Sequence, residues 1–171
     1  AYKPSPTFVS IHLGVKSEIF DKDLNCHHII VDKWEDLEKE KGVIFISIPS
    51  LLDPTLSPEG KHIIHAFTPS SMQEWENLKR KDYLEKKELY FKYILDKISK
   101  IIPDISKNID HKEIGTPRTH KKFLGRFEGS YGPIPNKKLL GLLPMPFNTT
   151  NIKNLYCVGD SCFPGQGLNA V

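Results

Sequence analysis

The stretch NLYCVGDSCFPGQGLNAV, residues 154–171, decides how this chain is read. Leu155 to Val158 has the short apolar run of a buried strand, and it ends in Gly159-Asp160. Gly159, Gly165 and Gly167 carry no Cβ, so backbone there can approach a ligand closely, and Asp160 sets a carboxylate at the strand tip. A large polar ligand of the nucleotide-cofactor kind is expected to dock here.

The same residues spell G-x-G-x-x-A at Gly165, Gly167 and Ala170, yet they do not read as the phosphate turn of a Rossmann unit. That turn needs its glycines directly after a strand and a ribose-binding carboxylate about 20 residues later. Residues 159–164 stand between the expected strand and the first glycine, and the sequence closes at Val171. The contact with a cofactor is therefore of another type. Ala1 opens without an initiator Met, and Leu168 to Val171 read as the first turn of a helix, so a piece of a longer protein is expected.

Working outward, the 171 residues are 39% hydrophobic and 26% charged, the balance of a soluble globular domain with a real core. The net charge of +3 comes from 24 basic and 21 acidic residues in mixed order, which gives no nucleic-acid footprint. Cys26, Cys157 and Cys162 are odd in number and lack C-x-x-C spacing, so neither a disulfide framework nor a zinc site is supported and a reducing compartment is expected. No run of about 18 apolar residues and no signal peptide is visible.

Phe8 to Val15, Cys26 to Val31, Val43 to Ile48 and His62 to Phe67 read as strands of one mixed sheet, with a short helix from Trp34 to Glu40. From Met72 to Ile102 the period becomes helical, with Leu84, Phe91, Ile94, Leu95, Ile98, Ile101 and Ile102 on one face until Pro103 ends it. Lys86, Lys87, Lys92, Lys97 and Lys100 form the opposite, solvated face. Thr116-Pro117 has the N-cap and first-position residues of a helix over 118–124. Leu139 to Phe147 is apolar but broken by Gly141, Pro144 and Pro146, so it either packs inside or lines a hydrophobic pocket.

Seven histidines invite a metal hypothesis, but His27 and His28 fall on opposite faces of a strand, as do His62 and His65. Structural roles are expected, with no metal. His120 could meet a ligand or the surface, and the surface is favoured. Tyr131, in Ser130-Tyr131-Gly132-Pro133, is either part of a turn or a ring laid on a flat cofactor. No catalytic acid, base or nucleophile is named by any motif.

GTPRTHKKFLGRFEGSYGP (115–133), GLLPMPFNTT (141–150) and NLYCVGDSCFPGQG (154–167) closely resemble the prolycopene isomerases, carotenoid cis-trans isomerases of cyanobacteria and plastids. These belong to the FAD-dependent carotenoid desaturase and amine oxidase superfamily, and CHHIIV, VIFISIPS and GKHIIHAFTP extend the resemblance upstream. It implies an α/β (α+β) chain that is the C-terminal part of a two-domain flavoprotein. Residues 1–114 would belong to the mixed-sheet substrate domain, and 115–171 would return to the FAD domain with its last strand and helix start.

The resemblance further implies that Val158, Gly159 and Asp160 stand at the strand end, with Asp160 bonding the ribityl or diphosphate region of FAD. Gly165, Gln166 and Gly167 would pass near the flavin, while the G-x-G-x-x-G half of the site lies outside this sequence. The implied reaction is conversion of poly-cis-lycopene to the all-trans form, with residues 139–147 lining a substrate tunnel and peripheral contact with a cyanobacterial or plastid membrane. A desaturase or saturase on the same fold, or a non-catalytic pigment or flavin carrier, is the alternative.

Overall fold

The structure, a computed structural model, describes residues 3–37, 39–134 and 145–165. Five strands form one sheet in the order β2-β3-β4-β1-β5: β1 (Thr7–Lys16), β2 (His27–Val31), β3 (Val43–Ser47), β4 (Lys61–Ser70) and β5 (Ile109–Gly115). The four strands read from sequence are all present. The sheet is not mixed, because every neighbouring pair is antiparallel. β4 and β5 do run in the same direction, joined through the helix α1 (Arg80–Ser99), but β1 lies between them.

Alternation along the strands sorts residues between two faces. Val9, Ile11, Leu13 and Val15 of β1 point to one side with Ile44, Ile46, Ile64 and Ala66, and all are buried. α1 closes this side with Phe91, Ile94 and Ile98, and Ile102 and Ile105 complete the core. A second cluster sets Trp75 and Tyr90 against Val9, with the indole donating to Ser70 Oγ at 2.9 Å.

Three helical expectations are corrected. Trp34 to Glu40 makes only a 3-10 turn, Trp34–Asp36, whose indole is largely exposed, so no apolar face holds a longer helix in place. The helix expected from Met72 begins at Arg80 instead, after a 3-10 turn at Met72–Glu74 and the fully buried Trp75. Leu84 is 48% exposed, because at that end the inward position belongs to Tyr83, which packs on Trp75 and Tyr90.

α2 (Pro117–Leu124) forms as Thr116-Pro117 indicates: Thr116 is the N-cap in a reciprocal capping box with Thr119, and Gly125 ends the helix at φ +63°. The chain then folds back along the start of β1, where Thr7 Oγ1 donates to Gly129 O at 2.6 Å and Ile134 N to Lys3 O at 2.7 Å. Gly129 sits so close to α2 that a Cβ there would lie 2.4 Å from Pro117 O.

The expected buried strand at Leu155 to Val158 is also corrected. Tyr156 makes one isolated bridge, to Thr149, and Leu155, Tyr156 and Val158 are exposed, Val158 at 88%. A strand is buried by the sheet that receives it, and among the described residues none reaches this segment.

These contacts predict unequal costs along α1. Ile98→Ala should lose about 2–5 kcal/mol of unfolding free energy through lost burial and cavity formation. Leu84→Ala should stay within about 0.5 kcal/mol, as surface changes do. Urea denaturation of both variants checks the assignment.

Candidate functional site

The face of the sheet opposite α1 is open, and cross-strand register lays its residues in rows. One row runs His27, Ser47, His65, His12 and Glu113 across all five strands. The next runs Ile29, Phe45, Phe67, Ser10 and Gly115. Phe8 follows on β1, with its ring 5.4 Å from Phe67, which stacks at 4.9 Å and 15° on Phe45. The outcome is an aromatic strip beside a polar one.

α2 and the turn after it wall this floor at one side, enclosing a cavity of about 670 Å³ that is mainly apolar in lining. His120 and Leu124 come from α2, and Arg126, Ser130 and Tyr131 from the following segment. The Tyr131 ring lies 4.6 Å from that of Phe8. A neighbouring cavity of about 520 Å³ shares Phe8, Phe67 and Tyr131 and adds Met145, Asp160 and Gly165. The three rings thus form a partition with one hollow on each side.

His120 is not the surface residue expected from sequence. Its ring is half-buried against Phe8 at 4.5 Å, and Nε2 is buried without a hydrogen-bond partner among the described residues. Burial pushes its imidazole below the ordinary histidine value, an effect partly opposed by a hydrogen bond to the Phe8 backbone and reinforced by His12 and Arg126. Burial also lowers His12, whose ring meets that of His65 at 4.7 Å. His62, on the other face, is lowered by burial and bonds Ser50 Oγ at 2.9 Å.

Asp160 is gripped by Arg126 in a fork, with Nη1 to Oδ1 at 3.0 Å and Nη2 to Oδ2 at 2.5 Å. This guanidinium, above all, holds the carboxyl below its ordinary range. Gly159 adopts φ +123° with no atom of the described residues within 4 Å of where a Cβ would stand. Gly165, at φ +114°, lies against Met145. Asp160 and Gly165 therefore line one hollow, whereas Val158 stands apart. Gln166, Gly167 and residues 139–144 of the expected tunnel lining lie outside the described residues, and Met145 lines the second cavity.

Comparison with known proteins places this geometry in context. No family model matches the chain. Prolycopene isomerase of Arabidopsis thaliana is 52% identical over 172 residues, and prolycopene isomerase 2 of an Oncidium hybrid cultivar is 54% identical, each across 99% of this chain. The chain is a homologue of the prolycopene isomerases. It spans about 29% of the length of these curated relatives. The all-trans-retinol 13,14-reductase of Danio rerio is 31% identical over 73% of this homologue.

Because His12, His62 and His120 resist protonation when folded, the unfolded chain binds more protons as the pH falls through 6.5, the ordinary histidine value. Their contribution vanishes above that value and destabilises the fold below it. Unfolding free energy should thus drop between pH 7.5 and 5.5, and His120→Phe should flatten the drop. Urea melts at the two pH values provide the check, and a pH-independent wild type would contradict it.

Proposed function

We propose that this chain is the C-terminal portion of a FAD-dependent carotenoid isomerase that converts poly-cis-lycopene to all-trans-lycopene. The observation that carries the reading is the open aromatic strip of Phe45, Phe67, Phe8 and Tyr131, borne by a chain that matches prolycopene isomerases along nearly its whole length. Flat rings without charge bind a polyene by dispersion and exclusion of water. Isomerisation changes no composition, so the site needs no group that is consumed.

The residues present suit one wall of a flavin site. Gly159 offers backbone that no described residue covers, and Asp160 offers an ionised carboxylate already oriented by Arg126. A carboxylate accepts from hydroxyls and repels phosphates, so Asp160 would hold the ribityl chain, and Arg126 would turn toward any diphosphate nearby. Gly165, Gln166 and Gly167 would pass beside the rings of the cofactor. When bound, FAD supplies reversible donation of electron density that lowers the order of a polyene double bond. The protein's part is to keep the polyene flat, dry and in register.

In this reading residues 1–114 serve the substrate side and 115–171 return toward the cofactor, a division that falls where β5 gives way to α2. Leu139 to Phe147 would line the approach of the substrate. A C40 hydrocarbon resides in lipid, which calls for peripheral membrane contact by the whole protein, and the two prolycopene isomerases named above are chloroplastic, which supports a plastid setting. No helix among the described residues is long and apolar enough to cross a membrane.

The full-length protein, expressed in cells that accumulate poly-cis-lycopene, should yield all-trans-lycopene of unchanged mass. Asp160→Ala should lower the yield at least about tenfold, the scale expected when a charge-assisted hydrogen bond is removed. Chromatography with mass detection reads both results, and products two mass units away would overturn the assignment.

A further inference from the structure

The last turn of α2 carries its apolar residues outward. Phe123 and Leu124 are 72% and 64% exposed, and Lys121 and Lys122 stand directly before them. Lysines in a last turn suit the helix dipole, but an exposed phenyl ring gains nothing from it. With Phe127, also largely exposed, three large apolar side chains lie within five residues.

Two hollows flank this tip. On one side a groove of about 820 Å³ between α2 and the start of α1 is lined by Arg80, Arg118, Lys121 and Lys122, against the single carboxylate of Glu76. Arg118 is fixed there, donating to Leu78 O at 3.2 Å with its guanidinium 4.7 Å from the Tyr83 ring. Among the described residues none of the four cations makes an ion pair. Phe123 lies at the lip of this groove, and the next residue, Leu124, lines the cavity over the aromatic strip. Cationic groove, apolar tip and polyene cavity thus follow one another along a single helix.

That succession selects the occupant. Interfaces between proteins are depleted in lysine, so a second copy or another part of the chain packed here would have to strip water from Lys121 and Lys122. A bilayer with anionic headgroups accommodates both kinds of residue, because lysines remain at the level of the phosphates while Phe and Leu reach the acyl boundary. It is also the phase in which a C40 hydrocarbon dissolves.

We propose that the end of α2 docks the protein on an anionic lipid surface. The cationic groove meets the headgroups, Phe123 enters the acyl boundary, and Leu124 forms the doorway from the bilayer to the aromatic strip. The doorway rests on the reading of that strip as a polyene floor.

The test is vesicle binding by the full-length, FAD-loaded protein. Vesicles of equimolar phosphatidylglycerol and phosphatidylcholine should bind it at least about tenfold more tightly than phosphatidylcholine alone, and the excess should shrink in high salt. Replacing both lysines, Lys121→Gln with Lys122→Gln, should weaken binding to the anionic vesicles about twentyfold, at about fivefold per lysine, and Phe123→Ser at least about fivefold. FAD content and oligomeric state should stay as in the wild type. Equal binding to the two vesicle types or undiminished binding by the variants would overturn the proposal. So would loss of FAD or a change of oligomeric state, since the face would then belong to another part of the chain or to a second copy. Should a variant not fold, amine acylation of the wild type decides: Lys121 and Lys122 should react in solution and be protected by anionic vesicles. Lysines closed without vesicles, or open with them, refute the docking. Formation of all-trans-lycopene is measured separately, so a protein that docks through α2 without isomerising loses the isomerase reading and keeps this surface.

Discussion

Everything in this molecule depends on which way alternate residues of β1 point. Val9, Ile11, Leu13 and Val15 are drawn under α1 by burial of their apolar surface, so Phe8, Ser10 and His12 must stand on the other face. β3 and β4 are locked to the same phase by register, which sends Phe45, Ser47, His65 and Phe67 after them. A slip of one residue would bury the histidines and expose the isoleucines. The hydrophobic core thereby dictates the composition of the cavity on the opposite face.

A second set of contacts turns that face into an enclosure. The capping box at Thr116 starts α2 at the end of β5, and Thr116 also meets the Tyr83 hydroxyl at 3.0 Å, tying the helix start to α1. Thr7 and Gly129 then hold the returning segment against β1, so that His120 and Tyr131 both lean on Phe8. The Arg126–Asp160 fork brings the loop around residue 160 to the same edge.

Much of this was legible in the sequence because its causes are local. Short apolar, β-branched runs mark β1, β3 and β4, and Thr116-Pro117 marks the start of α2 within a residue. What escaped depends on partners far along the chain. Nothing near Trp34 shows that its helix has no surface to pack on. His120 looks superficial within its own helix, and its burial comes from Phe8, more than a hundred residues earlier. The aromatic strip could not be read at all, since Phe45, Phe67 and Phe8 become neighbours only through strand register. Asp160 stood out as a carboxylate, but its tie to Arg126 lay hidden in the turn after α2.

The order of the strands has a kinetic side. β1 is the central strand of β4-β1-β5, and its partners begin at Lys61 and Ile109. During synthesis one edge of β1 therefore waits about fifty residues for β4 and the other about a hundred for β5. Its apolar face stays uncovered until α1 has emerged, which exposes nascent β1 to the contacts that a chaperone prevents.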